Sequence, residues 1–167
     1  FYSEHLLHQC QRLILGLSGL TVILLDDESL RLKLTSQLAA EFGRRVTHET
    51  TAPEVNGVVC CRWSWWLSCK DQLPLPTQLI VGVLPFATIE HPLMAARVEA
   101  LKREGRDWFR ELLLPEALRL LPQDVAPIRN NRGRVAILDG RLRARLWGQQ
   151  VLRVLEPWSP LHRLLPN

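Results

Sequence analysis

Short continuous apolar runs alternate along this chain with segments whose apolar residues recur at helical spacing. Such runs are typical of strands buried on both faces of a sheet. The predicted strands are 20–25, 45–50, 58–61, 78–84 and 134–138. The predicted helices are 4–17, 28–42, 91–104, 107–121 and 143–155. Because parallel strands need crossover connections, the alternation predicts an α/β fold with a mostly parallel sheet and helices on both faces.

Local signals mark where several of these helices begin and end. Asp26 and Asp27 precede the second helix and are residue types that cap helices. Gly43 follows the same helix, at a position that favours a left-handed backbone. Pro92 stands at the start of the third helix, where its missing N–H is not needed. Pro115 interrupts the next segment, so that helix is expected to kink or restart there.

The chain has 167 residues, the usual size of one domain, and we expect a single core across 1–167. It has no uninterrupted apolar stretch of about 18 residues, so no membrane segment is expected. The start, Phe1–Glu4, has neither a Met nor a basic leader, and we expect a segment of a longer cytoplasmic protein. The spacing of Cys10, Cys60, Cys61 and Cys69 suits neither zinc nor an iron–sulfur cluster, and we expect buried, reduced thiols.

Basic residues are concentrated in the C-terminal part of the chain. Residues 1–100 carry 8 basic and 10 acidic side chains, whereas residues 101–167 carry 13 basic and 7 acidic ones. The densest group comprises Arg129, Arg132, Arg134, Arg141, Arg143 and Arg145, with Asp139 as the acidic residue among them. Such a group is typical either of a site for nucleic-acid or nucleotide phosphates or of a solvated basic face without a ligand.

Parallel α/β sheets bind ligands beyond the carboxyl ends of their strands, so the segments directly after the strands are candidate sites. Asp26–Glu28 is a carboxylate cluster that suits either helix capping or a Mg²⁺ ion. His91 either reaches such a site or lies on the surface beside Pro92. The sequence has no glycine-rich phosphate loop followed by Lys and Ser or Thr, so we expect that this chain cannot hold a triphosphate by itself.

Three tryptophans follow the strand predicted at 58–61. They are Trp63, Trp65 and Trp66, flanked by Arg62 and Lys70. Aromatic faces next to basic groups stack nucleobases in proteins that bind single strands, whereas aromatic clusters also fill cores and interfaces. These five residues are candidate nucleic-acid contacts, with packing in the core or against a partner domain as the alternative.

Three longer segments resemble the second RecA-like domain of the DinG/XPD branch of superfamily-two helicases. The stretch QLIVGVLPF at 78–86, followed by HPLMAAR at 91–97, is similar to that family's strand, LPF turn and helix. The stretch WFRELLLPEA at 108–117 resembles its FRE…LPxA segment. The stretch RGRVAILDGR at 132–141, with Gly148, resembles its RGVVAILDxR…YG ending.

The segment that corresponds to the family's motif V is altered. That motif has a W-E-G-x-D core, of which Trp66 retains the aromatic residue. Leu67 stands at the position of the acid, Ser68 at that of the glycine and Lys70 at that of the aspartate.

The segment that corresponds to motif VI, QxxGRxxR in the family, is altered too. It retains Gln123 and Arg129, but has Ala126 in place of the glycine and Pro127 in place of the first arginine. The resemblance implies that this first arginine reaches the γ-phosphate, and an arginine finger contributes about 10³–10⁵ in rate. Gln123 and Arg129 are therefore the residues expected to face ATP as catalytic groups.

The resemblance as a whole implies the C-terminal motor domain of an ATP-dependent DNA helicase, inactive as this fragment. ATP and Mg²⁺ are expected only together with an N-terminal helicase domain of the same protein, which lies outside this chain. Single-stranded DNA is the other expected partner. The predicted nucleic-acid contacts are Arg62, Trp63, Trp65, Trp66, Lys70, Arg141, Arg143 and Arg145. The alternatives are a helicase-derived module without ATPase activity that binds nucleic acid or protein, and an unrelated α/β binding domain.

Overall fold

The computed structural model describes residues 2–86 and 92–160. The strands within these residues are β1 (Thr21–Leu24), β2 (Val46–His48), β3 (Val58–Cys61), β4 (Gln78–Val81) and β5 (Arg134–Ile137). They form one sheet in the order β2-β3-β1-β4-β5, and every neighbouring pair is parallel. The prediction of a mostly parallel sheet is confirmed.

Helices cover this sheet in the manner of a three-layer α/β domain. They are α1 (Tyr2–Ile14), α2 (Glu28–Phe42), α3 (Trp63–Cys69), α4 (Pro92–Arg103), α5 (Leu114–Asp124), α6 (Ala126–Asn130), α7 (Arg141–Ala144) and α8 (Gly148–Val154). Turns of 3₁₀-helix follow α2 and α3, and a π-helical turn, Phe109–Leu113, leads directly into α5.

Alternate residues of each buried strand point to opposite faces of the sheet, so the core has two halves. Ile23 of β1 packs into the half that α1 and α2 cover, together with Leu38 of α2. Val22 packs into the other half, which contains Trp66 of α3, Leu121 of α5 and residues of α6 and α8. With both faces buried, the strands need continuous apolar sequences, which is why their pattern was recognisable.

The local signals for the ends of helices act as predicted. The Asp27 carboxylate accepts a hydrogen bond of 2.8 Å from the Leu30 N–H and caps α2. Gly43 ends the helix with φ of 76°, in the left-handed region. The segment around Pro115 restarts as predicted, because the π-helical turn ends at Leu113 and α5 begins at Leu114.

Some boundaries differ from the prediction. The C-terminal helix predicted at 143–155 is two helices, α7 and α8, because the chain folds back between them so tightly that Gly148 lies against the Leu142 carbonyl. A Cβ atom at position 148 would lie 1.8 Å from that oxygen, so only glycine fits. Helices α3 and α6 were not predicted, since both are short and begin in the altered motif segments. His91, predicted to start α4, lies outside the described residues.

All four cysteine thiols are free, and three of them are buried as predicted, whereas Cys69 is partly exposed. Cys10, Cys60 and Cys61 are buried, and burial raises the pKa of all three, that of Cys60 to about 11. These thiols stay protonated and behave as small apolar core residues. In residues 2–86 and 92–160, no helix is long and apolar enough to span a membrane.

Candidate nucleic-acid interface

The carboxyl ends of the parallel strands lie along one edge of the sheet, which we call the carboxyl edge. The chain leaves β1 toward the face covered by α2 and leaves β4 toward the opposite face, so a crevice is expected between these two strands. Asp26 and Asp27 follow β1 at this point. The Asp26 carboxylate accepts a hydrogen bond of 2.9 Å from the Trp63 N–H, while Asp27 caps α2. Both acids therefore act in capping, and no group of three or more His, Cys, Asp or Glu side chains within 2–86 and 92–160 is arranged to hold a metal ion.

Arg62 follows β3 on the carboxyl edge, but its charge is already neutralised. Its guanidinium donates two hydrogen bonds to the Glu49 carboxylate, at 2.7 and 3.0 Å. The Arg62 backbone N–H donates a third, at 3.2 Å. The hydrogen bonds from Arg62 hold the pKa of Glu49 below its ordinary value despite some burial. A phosphate at Arg62 would have to compete with this carboxylate.

The three tryptophans differ in what they can contact. Trp66 is fully buried and Trp63 is 4% exposed, and the Trp63 indole N–H donates a hydrogen bond of 2.6 Å to the Val83 carbonyl. This placement corrects the expectation that Trp63 and Trp66 stack nucleobases, because protein atoms cover their rings. Trp65 is partly exposed at the surface of the same helix and is the one of the three with ring area available to a ligand.

Trp66 instead links α3 to α5, which joins the two altered motif segments. Its indole N–H donates a hydrogen bond of 2.9 Å to the backbone carbonyl of Asp124. The Asp124 side chain is buried, and burial raises its pKa, while the nearby charge of Lys70 acts in the opposite direction. Lys70 therefore has an acidic neighbour inside the protein, although it is still partly exposed.

The two predicted catalytic residues, Gln123 and Arg129, have different surroundings. Gln123 is exposed in the last turn of α5. Arg129 is also exposed, but its guanidinium donates a hydrogen bond to the Leu155 carbonyl at the end of α8. Helix α6 leads directly into β5, with the Gly133 N–H bonded to the Ile128 carbonyl, so Arg129 lies beside the amino end of that strand. Arg129 and Arg62 therefore lie toward opposite edges of the sheet, since Arg62 follows the carboxyl end of β3.

Arg141 follows β5 on the carboxyl edge and is held by Asp139. The Arg141 guanidinium donates hydrogen bonds to both Asp139 oxygens, at 2.9 and 2.6 Å, and lies 5.0 Å from the centre of the Phe86 ring. The Asp139 carboxylate also accepts a bond of 3.0 Å from the Leu84 N–H. The segments LPF and LDGR, which carry much of the family resemblance, are therefore bound to each other. The Arg141 guanidinium is therefore already engaged in a contact inside the protein.

Arg143 and Arg145 are the predicted contacts with the most available charge. Both are exposed, and neither forms an ion pair with a residue in 2–86 or 92–160. Arg143 lines an open groove of about 310 Å³ between α1 and the end of β5. His5 and Gln9 of α1 line the same groove. Sequence reasoning missed these two residues, because they are more than 120 positions away and carry no motif.

The described residues do not form a complete nucleotide site. Between β1 and α2, where a phosphate loop would require glycines and a lysine, the chain has Asp26, Asp27 and Glu28. Three carboxylates repel a triphosphate.

A sheet of five parallel strands with helices on both faces makes this chain an α/β domain of the RecA-like type. No protein-family model matches it. Over 125 residues it is 31% identical to the ATP-dependent DNA helicase YoaA of Haemophilus influenzae, which covers 73% of this chain and 20% of that protein. Over 105 residues it is 31% identical to YoaA of Escherichia coli, which covers 61% of this chain and 16% of that helicase. Over 86 residues it is 30% identical to the 3′-5′ exonuclease DinG of Bacillus subtilis, which covers 50% of this chain and 9% of that protein.

These similarities support a relationship between this chain and the DinG/YoaA-type ATP-dependent DNA helicases. The chain spans a fifth or less of the length of these three relatives. Two of the relatives are described as helicases and the third as an exonuclease, so what the similarity supports is a helicase-related role for the domain.

Proposed function

We propose that this chain is the C-terminal, second RecA-like motor domain of a DinG/XPD-like ATP-dependent DNA helicase. In this proposal an N-terminal domain of the same protein holds ATP and Mg²⁺ on its own phosphate loop. This chain completes the ATP site and the track for single-stranded DNA. The relationship to the DinG/YoaA-type helicases supports the proposal, as does the RecA-like sheet.

The observation that carries the proposal is the bond between the Trp66 indole and the Asp124 carbonyl. By resemblance, motif V responds to DNA and motif VI to the nucleotide, so a motor needs a physical connection between them. Here α3, which contains the motif V tryptophan, is bonded to the end of α5, one residue from Gln123. A shift of α5 on nucleotide binding would therefore be transmitted to α3 and to Trp65 on its surface.

A second candidate function is a helicase-derived module that has lost ATPase activity and binds nucleic acid or protein. One specific observation favours it: the surviving motif VI arginine, Arg129, is bonded to the Leu155 carbonyl, and Pro127 beside it is buried and offers no donor. An arginine that assists phosphoryl transfer must be able to reach the γ-phosphate. In this candidate, Arg129 serves only to hold α8 against α6.

The two candidates differ in the DNA-stimulated ATPase activity of the full-length protein. The motor proposal predicts activity that Arg129→Ala lowers by about 10²-fold or more, since an arginine finger contributes about 10³–10⁵. Gln123→Ala is expected to lower it as well. Arg103→Ala is the matched control, because Arg103 is also an exposed arginine, in the last turn of α4.

Two outcomes of the ATPase measurement would contradict parts of the motor proposal. Absence of DNA-stimulated ATPase activity in the full-length protein would overturn the motor proposal in favour of the module. Robust activity that Arg129→Ala leaves at the level of Arg103→Ala would remove Arg129 from the catalytic site.

A further inference from the structure

The groove between α1 and α7 is a pocket with apolar walls and a cationic rim. Its volume of about 310 Å³ is at the lower end of the range for small-ligand sites, about 300–1,000 Å³. Its apolar lining residues are Leu6, which is almost completely buried, and the partly exposed Ile137, Leu138 and Leu142. The polar groups on its rim are His5 and Gln9 on the α1 side and Arg143 on the α7 side.

The charge that faces this groove is positive. Asp139 is the one acidic residue in the lining, and Arg141 neutralises it through two hydrogen bonds. Arg143 is exposed and forms no ion pair with a described residue, and Arg145 follows directly after α7. A phosphate that approached the rim would therefore meet arginine without a competing free carboxylate.

The floor of the groove offers backbone hydrogen-bonding groups. β5 is the last strand of the sheet and pairs only with β4 among the described strands. The Leu138 N–H donates to the Val81 carbonyl of β4, and the Arg134 N–H donates to the carbonyl of Thr77, directly before β4. Because strand residues alternate, the N–H and C=O of Ile137 point away from β4, along the open edge that lines the groove.

We propose that this groove binds one nucleotide of a single-stranded nucleic acid. Arg143 and His5 contact its phosphates from the two rims. The base lies against Leu138 and Leu142, which are partly exposed, and can pair with the backbone of Ile137 at the open edge of β5. This inference rests on the proposed function and gives it a location that the motif resemblance did not include.

The shape of the groove favours a nucleotide over an added peptide strand. A peptide that extended the sheet would run along the whole of β5 and pair with Val135 as well as Ile137. The groove, however, is confined to the carboxyl end of the strand, and Val135 is outside its lining. A compact unit with a phosphate fits this position better than an extended chain does.

The test uses the 167-residue chain and a fluorescein-labelled oligothymidylate of about 20 nucleotides, longer than a typical single-strand binding site of about 4–16 nucleotides. Fluorescence anisotropy at low salt gives the dissociation constant. The decisive variant is Gln9→Glu, which adds a carboxylate to the α1 rim with little change in shape. Its matched control is Gln11→Glu, which makes the same change on the same helix outside the groove.

We expect Gln9→Glu and Arg143→Glu each to weaken binding by about tenfold, the effect of replacing a phosphate contact with repulsion. Gln11→Glu and Arg103→Glu should weaken it by less than about twofold. Circular dichroism and thermal unfolding verify that each variant is folded. Parallel titrations with an oligouridylate of equal length distinguish DNA from RNA as the ligand, and the same pattern with either one supports the groove.

The failures of this inference and of the proposed function are distinguishable. If the unmodified chain binds neither oligonucleotide at low salt, direct nucleic-acid binding by this domain is wrong. If it binds but Gln9→Glu and Gln11→Glu weaken binding equally, the groove is not the site, while the proposed function stands.

Discussion

The Asp139 carboxylate, which follows β5, forms hydrogen bonds with the segment that follows β4 and with the start of α7 at the carboxyl edge. It is 7% exposed, and its oxygens accept hydrogen bonds from the Leu84 N–H and from the backbone and guanidinium of Arg141. Burial raises the pKa of Asp139, but these hydrogen bonds outweigh burial, and the net effect is a lowered pKa. The carboxylate therefore stabilises the fold only while it is ionised.

This gives a prediction for acid stability. Because the pKa of Asp139 is lower in the folded than in the unfolded chain, where it is about 3.9, its stabilisation is complete above that value. It is lost as the pH falls through the folded pKa. Asp139→Asn should lower the free energy of unfolding at pH 7 by about 1.5–3 kcal/mol, the range for hydrogen bonds to a charged group.

Urea unfolding of both proteins across the acidic range measures this difference. It should shrink as the pH falls, because the native carboxylate becomes protonated. Asp71→Asn, at an exposed aspartate, should change stability little at any pH. A difference between Asp139→Asn and the unmodified chain that stays constant with pH would show that the ionised form is not what matters.

Among the elements, α1 is held to the sheet by a buried polar network as well as by apolar packing. The Gln78 side chain in β4 is fully buried and donates to the Leu13 carbonyl and to the Thr21 hydroxyl, at 3.1 and 3.2 Å. Arg134 in β5 donates to the Gln78 oxygen at 2.6 Å and to the Leu13 carbonyl at 2.7 Å. Burial lowers the pKa of Arg134, and these two acceptors satisfy donors of its guanidinium inside the protein. The network satisfies a carbonyl at the end of α1 that has no partner within the helix.

Removal of this network should loosen α1 specifically. Gln78→Leu removes the acceptor for the Arg134 Nε–H and one of the two donors to the Leu13 carbonyl, while the bond from Arg134 to Leu13 remains. We expect a loss of about 1–3 kcal/mol in the free energy of unfolding, the cost of a buried donor without an acceptor. Amide hydrogen exchange should accelerate in the last turn of α1 and change little in α2. Gln72→Leu, at an exposed glutamine, is the control. Unchanged protection in α1 would show that apolar packing alone holds the helix.

For the whole molecule, the sequence predicted the fold more fully than the site. The parallel sheet, the Asp27 cap and the restart at Pro115 follow from local patterns, since each depends on neighbouring residues. Whether each candidate contact residue is available to a ligand does not follow from local patterns. Arg62 is neutralised by a glutamate 13 positions away, and the Arg129 guanidinium is bonded to the carbonyl of Leu155. Hydrophobic periodicity gives no signal for such pairs.

The tryptophans illustrate the same limit, because a core residue and a stacking platform have the same sequence signal. Trp63 and Trp66 are buried, whereas Trp65, between them, is partly exposed. Position on a short, unpredicted helix decides this, not residue type. The groove beside β5 likewise brings together helices from the two ends of the chain, for which no single segment of sequence carries a signal.

The distribution of paired and unpaired arginines predicts how the binding of single-stranded DNA should depend on salt. Arg62 and Arg141 are bonded to carboxylates, so releasing them for phosphate gives little net gain. Arg143 and Arg145 form no ion pair with the described residues. Each phosphate neutralised on a single strand contributes about −0.7 to the slope of log affinity against log salt concentration. Two such contacts predict weak binding and a slope between about −1 and −2.

Anisotropy titrations between about 50 and 200 mM salt measure this slope. Joint replacement of Arg143 and Arg145 by alanine should bring the slope close to zero. Arg62→Ala should leave the slope nearly unchanged, since Glu49 already neutralises the Arg62 charge. Binding that is insensitive to salt in the unmodified chain would contradict an electrostatic interface altogether. A slope steeper than about −3 that falls with Arg62→Ala would show that DNA opens the Arg62–Glu49 pair, and the interface would then extend across the carboxyl edge to Trp65.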